Sequence, residues 1–352
     1  MKNNSDQNER FGESGNSLQG FVKNNKLTVA VYVATAFLYI VSLFVSPSFQ
    51  NWHHFALVLV LASFLIVVSF GQGIVILVRG LDLSVGSMIT LSGVLVAAWV
   101  TQSNENIFWA VPLILLITTL IGVGNGLGVA YLKIPPFVMT LSMGIIVFSA
   151  VLGFTQGTPS KGNAPRFLNG LMLNETAGIP NIVYVLIIFI VVAVLLQSYS
   201  AFGRKLYALG SNPKAANISG LRTNLLTISA FGLSGFCCGL VGMMLVGYSD
   251  APTLTMGDPY VMSSIAAVVV GGSSILGGKG NYMGTVGGVL LLTILSTLIT
   301  AVGLAAGWRT IIQGGIIIIA LVMSVLSERT SKSPSSGDRR GIGKGVPQYQ
   351  KT

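Results

Sequence analysis

Charge is what this 352-residue chain has least of. Asp, Glu, Lys and Arg together make up 9% of it and hydrophobic residues 52%, with a mean hydropathy of +0.77; soluble domains carry about 25% charge. A soluble globular enzyme is excluded, and a polytopic membrane protein remains. Cysteine is scarce as well: Cys237 and Cys238 are neighbours inside an apolar run, which excludes a disulfide framework or a thiolate metal site and leaves two small packing residues. The two histidines, His53 and His54, stand side by side with no further ligand candidates nearby, so no metal site is read there. No Asp, Glu, Lys or His falls inside an apolar run long enough to span a bilayer. Proton-coupled carriers and voltage sensors depend on such groups, so this chain is expected to draw its energy from elsewhere.

A phosphate-binding loop is missing too. Gly122, Gly124, Gly126 and Gly128 alternate inside an apolar run with no preceding strand, and the pairs Gly122/Gly126 and Gly124/Gly128 have the spacing that lets helices approach closely. Gly277-Gly278-Lys279-Gly280 lacks the upstream Gly and the following Ser or Thr of a phosphate loop. The net charge of +10 does not point to nucleic acid, because the basic residues sit in short segments between apolar runs with no aromatic-basic stripe.

What is present is a series of apolar runs. At about 20 residues per crossing, spans fall near 27–46, 55–78, 85–102, 107–132, 137–157, 181–200, 223–248, 262–278, 284–302 and 308–327. The expected fold is therefore an all-α polytopic membrane protein of about ten transmembrane helices. A polar segment, 1–26, precedes the transmembrane domain, 27–328. A Ser/Gly/Lys/Arg-rich tail, 329–352, is expected to be disordered. The eighth run is short and glycine-rich, so a re-entrant course there stays open. With both termini in the cytoplasm, all but three of the 20 basic residues fall on the cytoplasmic side; the exceptions are Lys161, Arg166 and Arg309. Ten spans divide into two groups of five after Gly157, and an odd number per half makes the halves face opposite ways, as in inverted-repeat transporters.

Three groups of residues carry functional expectations. Arg79 to Ser87 places Asp82 beside Arg79 at a cytoplasmic helix junction. Asp82, or Ser84, is expected to cap the following helix while Arg79 neutralises the carboxylate; a gating role for Arg79, Asp82, Ser84 and Gly86 is the alternative. Neutral polar residues inside the spans, namely Gln72, Asn125, Thr140 and Ser142, are candidates to line a pathway for an uncharged, hydroxylated solute. The third group lies in the polar loop 201–222. There Asn212 suits an N-cap, Pro213 the first helical position and Gly220 a left-handed stop, which predicts a short capped helix. So short a helix needs its membrane anchors or a partner to hold it, and the small Ala215 and Ala216 are expected to let that partner approach closely.

Three passages together carry a resemblance: G-L-D-L-S-V-G-S (Gly80 to Ser87), G-R-K-L-Y-A-L-G-S-N-P-K-A-A-N-I-S-G-L (Gly203 to Leu221) and A-A-V-V-V-G-G-S-S-I-L-G-G-K-G-N-Y-M-G-T-V-G-G (Ala266 to Gly288). In that order, within a match running from about Leu27 to Glu328, they resemble the permease subunit of the ribose/xylose/galactose-type ABC sugar importers. The resemblance implies a bacterial inner-membrane, non-catalytic subunit that moves a monosaccharide or similar polyol. It implies a second permease copy in a homodimer or related heterodimer, a periplasmic sugar-binding protein, and a cytoplasmic ABC ATPase that holds the ATP and docks on the loop containing Asn212 to Gly220. The coupling candidates are then Arg204, Gly210, Asn212, Pro213, Ala215, Ala216 and Gly220. Branched-chain amino-acid permeases share the plan but resemble D-L-S-V-G-S less; a stand-alone carrier or channel is the reading from another class.

Overall fold

The computed structural model describes residues 26–305 apart from 101–103 and 159–163, with scattered positions between 307 and 322. The expected N-terminal segment, most of the span near 308–327 and the tail 329–352 lie outside the described residues.

Apolar runs in lipid must satisfy every backbone polar group internally, so they form helices. In chain order these are α1 (Lys26–Val45), α2 (Trp52–Leu77), α3 (Val85–Trp99), α4 (Ile107–Ala130), α5 (Pro136–Thr155), α6 (Arg166–Leu173) and α7 (Asn181–Val194), which a π-helical turn extends through Tyr199. Then come α8 (Ala201–Ser211), α9 (Pro213–Ile218), α10 (Thr223–Ser249), α11 (Asp258–Val270) and α12 (Tyr282–Ala301). A two-residue hairpin, β1 (Glu175–Thr176) with β2 (Ile179–Pro180), precedes α7. Among the described residues seven helices are long and apolar enough to cross a membrane: α1, α2, α4, α5, α7 with its extension, α10 and α12. The two apolar helices α3 and α11 are shorter.

Helices α2 and α10 form the enclosed centre. Side chains such as Phe64, Ile74 and Phe231 are fully buried there. The alternating glycines work as packing residues on two faces of α4. A Cβ at Gly126 would lie 2.6 Å from Ile228 Cα and one at Gly122 would overlap the Phe231 carbonyl, both on α10. Gly124 and Gly128 instead face Met143 and Met139 of α5.

The loops gather at two opposite ends. At the basic end, Gly278 N donates to Leu77 O (2.9 Å) and Arg79 reaches Gly210 and Ser211. A small cavity there is lined by Tyr131, Asn217 and Arg222. At the other end, Ala164 N donates to Asp250 O (3.1 Å), Trp52 Nε1 to Gly178 O (2.7 Å) and Phe167 N to Asn104 Oδ1 (3.1 Å). Helices α2, α4 and α10 each run from one set of loops to the other.

The third apolar run departs from the expectation of a continuous transmembrane helix, and the eighth takes the re-entrant course left open for it. From Arg79 the chain re-enters the protein without regular structure as far as Ser84, and α3 begins only after it. From Asp250 the chain likewise dips inward before α11 begins. The two starts meet: a Cβ at Gly257 would overlap the Gly86 carbonyl oxygen, one at Gly86 would lie 2.8 Å from Val261, and Gly257 N donates to Thr90 Oγ1 (3.3 Å). From that meeting point α3 runs to the Trp99 end and α11 to the basic end, in opposite senses.

Candidate functional site

The irregular segment 80–84 would leave its backbone groups unpaired inside an apolar protein, which costs about 1–3 kcal/mol per orphan. Side chains of α5 and α2 bond its backbone, and those of α4 and α10 bond its Ser84 and Asp82 side chains. Thr140 Oγ1 of α5 accepts from Leu83 N and donates to Leu81 O, both at 3.1 Å. Gln72 of α2, its amide oriented by its partners, donates to Asp82 O (3.1 Å) and accepts from Asp82 N (3.3 Å). Asn125 Nδ2 of α4 donates to Ser84 Oγ (2.9 Å). Ser234 Oγ of α10 donates to Asp82 Oδ2 (2.8 Å).

Asp82 is therefore the keystone of a fully buried network. Its Oδ1 accepts from Ser84 N (3.0 Å) and Ser84 Oγ (2.6 Å), an Asx turn that starts α3. The residue that caps α3 is Ser84, which makes no side-chain cap hydrogen bond of its own, so Asp82 acts ahead of the position that a capping role requires. The expected pairing with Arg79 is corrected: Arg79 Nε donates to Gly210 O (2.6 Å) and Nη2 to Ser211 O (2.8 Å). Of the four residues expected to line a pathway, Gln72, Asn125 and Thr140 are buried and bond the re-entrant segment, while Ser142 lies exposed on α5 apart from them.

The basic-end loop forms the predicted short helix. Asn212 Oδ1 accepts from Ala215 N (3.1 Å), Pro213 opens α9, and Gly220 stands at φ +80° with its N–H on Asn217 O and Leu221 N on Ala216 O. These 5→2-like and 6→1 closures stop the helix as the sequence implied. Ala215 and Ile218 are exposed, Ile218 at 87%. Ala216 is not: it is 5% exposed and turned into the protein, so its place on an approachable face is corrected. Arg204 binds its own chain, Nη1 to Tyr199 O (2.9 Å), at the π-helical end of α7.

Just before α9, Gly210 sits where no side chain fits. A Cβ there would overlap the Leu77 carbonyl and come 2.5 Å from Gly278 N. Leu77 ends α2, Arg79 begins the re-entrant segment and Gly278 lies in the α11–α12 loop, so one contact joins α8, the helix before α9, to the end of α2 and to the loop after α11. Tyr207 adds a second tie. Burial pushes its phenol up from its ordinary value, so it stays protonated, donating to Gly280 O (2.6 Å) and accepting from Gln197 Nε2 (3.0 Å). Sequence reasoning did not assign Gly257 and Gly278 to the site. The glycine-rich run after Val270 was the available signal: Gly272, Gly277 and Gly278 all have positive φ.

A family profile described as "Branched-chain amino acid transport system / permease component" matches residues 55–321. The ribose import permease protein of Haemophilus influenzae is 31% identical over 295 residues, 83% of this chain and 91% of the relative. The galactose/methyl galactoside import permease protein of Salmonella typhimurium is 31% identical over 320 residues, covering 86% and 95%. The ribose import permease protein of Bacillus subtilis is 31% identical over 261 residues, covering 73% and 80%. No solved structure matches the chain.

Proposed function

Because the chain belongs to the family of branched-chain amino acid transport system / permease components, we propose that it is the membrane-spanning, non-catalytic subunit of an ATP-driven importer. It moves a monosaccharide or similar polyol across the bacterial inner membrane. The sugar reading rests on its ribose and galactose import relatives. ATP is bound by a separate cytoplasmic subunit, a periplasmic binding protein delivers the solute, and a second permease copy completes the membrane core.

The observation that carries the mechanism is the exposed, doubly capped α9 directly following α8, whose Gly210 is wedged against Leu77 and Gly278. A force on Ala215 and Ile218 passes through a contact with no slack to the end of α2, the start of segment 80–84 and the α11–α12 loop. The two half-helices that meet at Gly86 and Gly257 have the arrangement from which transporters build alternating access. The basic end then faces the cytoplasm.

Reconstitution tests this. Liposomes carrying the permease with its ATPase and binding protein are expected to accumulate sugar, and permease alone to accumulate none. Ile218→Asp is expected to cut uptake about tenfold or more by placing a charge in a desolvated contact, with normal membrane insertion. Uptake by the permease alone would overturn the importer reading.

Orientation has its own measurement. Thr176 and Ala215 are both exposed, at opposite ends. On intact cells an impermeant thiol reagent is expected to label Thr176→Cys and to spare Ala215→Cys until the membrane is opened, since the basic loops resist translocation. Labelling of Ala215→Cys in intact cells would reverse the topology.

A further inference from the structure

The helix breaks at Ser200, between α7 and α8, and the break is closed by its own side chains. The last turn of α7, Leu195–Tyr199, is π-helical, a rare geometry that is frequent at functional sites. Ser200 has extended backbone; its Oγ accepts from Gly203 N (3.0 Å) and donates to Leu196 O. A Cβ at Gly203 would overlap the Gln197 carbonyl, and Arg204 Nη1 donates to Tyr199 O (2.9 Å). Carbonyls that a helix end leaves free are thus occupied from α8, and the end of α7 forms one stiff elbow with α8.

Inside the elbow Gln197 is buried. Its Nε2 donates to the Tyr207 hydroxyl (3.0 Å), which donates in turn to Gly280 O (2.6 Å). An amide N–H only donates and a carbonyl only accepts, so the two partners fix the direction of the phenol proton. A buried tyrosine hydroxyl normally finds a partner, and Gln197, on the same elbow, already meets that need. The bond to Gly280 goes further, because it leaves the elbow for the α11–α12 loop. Gly280 adjoins Asn281, whose Oδ1 accepts from Met283 N and caps α12.

Tyr207 and Gly210 stand one turn apart on α8, on one face, and meet the same loop by different physics. At Gly210 backbone presses on backbone: a Cβ there would lie 2.5 Å from Gly278 N. Such a contact resists approach steeply and resists separation weakly, because the attraction of single atom pairs is small. A directional hydrogen bond also resists separation. Ser211 Oγ reaches the loop too, at Gly278 O, but the bond is a looser 3.4 Å and exposed. Gly210 therefore pushes the loop when α8 advances, and Tyr207 holds it when α8 withdraws. Alternating access requires movement in both directions.

We propose that Tyr207 is a positioning residue for coupling, and that its bond to Gly280 draws the start of α12 back with α8 on the return stroke. The proposal rests on the importer reading above. Tyr207→Phe keeps the ring and removes the hydroxyl. In the complete importer, purified and reconstituted, this variant is expected to raise the ATP hydrolysed per sugar imported about two- to tenfold, the range of one hydrogen bond. That ratio does not depend on how much permease is present. Combining Gln197→Met with Tyr207→Phe removes the amide that the single variant leaves unpaired, so a defect of packing alone would be repaired in the pair. The pair is expected to accumulate like wild type and to keep the raised ratio, whereas Gln197→Met alone, which leaves the Gly280 bond, is expected to keep the wild-type ratio. A wild-type ratio in Tyr207→Phe, its recovery in the pair, or an equal rise in Gln197→Met alone would overturn the proposal. Those results leave the importer reading standing while uptake still requires the ATPase. Uptake without the ATPase would sink that reading instead.

Discussion

Gly210→Ala is expected to abolish uptake while the protein still inserts into the membrane. The added methyl would occupy the position of the Leu77 carbonyl oxygen and lie 2.5 Å from Gly278 N and 2.9 Å from Gly278 Cα. All three are backbone atoms, so no side chain can swing aside. Overpacking of this kind costs about 1–3 kcal/mol when side chains can adjust, and more when only backbone can. Relief requires α8 to withdraw from the α2 terminus, which breaks the Arg79 bonds to Gly210 and Ser211. The helices themselves keep their lipid and core contacts. Partner ATPase activity is therefore expected to persist without responding to sugar-loaded binding protein, and uptake to fall by about two orders of magnitude for a loss of about 3 kcal/mol. Near-normal uptake in Gly210→Ala would separate the α9 loop from the half-helices and end the force route proposed here.

How much of this was legible depends on which forces set each feature. The long helices were legible, because about 20 apolar residues in lipid have few alternatives to a helix. So was α9, whose signals are local: the Asn212 cap, Pro213 and the left-handed Gly220 act within a few residues of one another. The half-helices were legible only in part. The short, glycine-rich run near 262–278 left a re-entrant course open, but hydropathy reads 85–102 as an ordinary span, and only long-range bonds from Gln72 and Thr140 satisfy the irregular backbone at 80–84, with Asn125 and Ser234 bonding its side chains. Proximity misled at Arg79, because the carbonyls of Gly210 and Ser211, far away in sequence, take its guanidinium donors. Ala215 and Ala216 are indistinguishable by composition; which one faces out is settled by packing of the α8–α10 connection.

Asp82 gives the sharpest separation between two substitutions at one position. Asp82→Leu removes acceptors from Ser84 N, Ser84 Oγ and Ser234 Oγ at once, in a place sealed from water. At about 1–3 kcal/mol for each donor left unpaired, the loss reaches several kcal/mol, a large share of the 5–15 kcal/mol that holds an ordinary domain together. Asp82→Leu is therefore expected to leave little folded permease in the membrane. Asn has nearly the same shape. Its Oδ1 accepts the two Ser84 donors, and its Nδ2 donates to Ser234 Oγ, which has lone pairs to receive it once its own proton turns away. Asp82→Asn is expected to accumulate normally and to transport within about tenfold of wild type, the value of one hydrogen bond weakened. Arg79 needs no carboxylate partner, because its guanidinium is already bonded to the carbonyls of Gly210 and Ser211. The check is membrane abundance alongside uptake for both variants. Normal abundance with complete loss of uptake in Asp82→Asn would mean that the negative charge itself, and not the hydrogen-bonded turn, controls the start of α3 and the gate built on it.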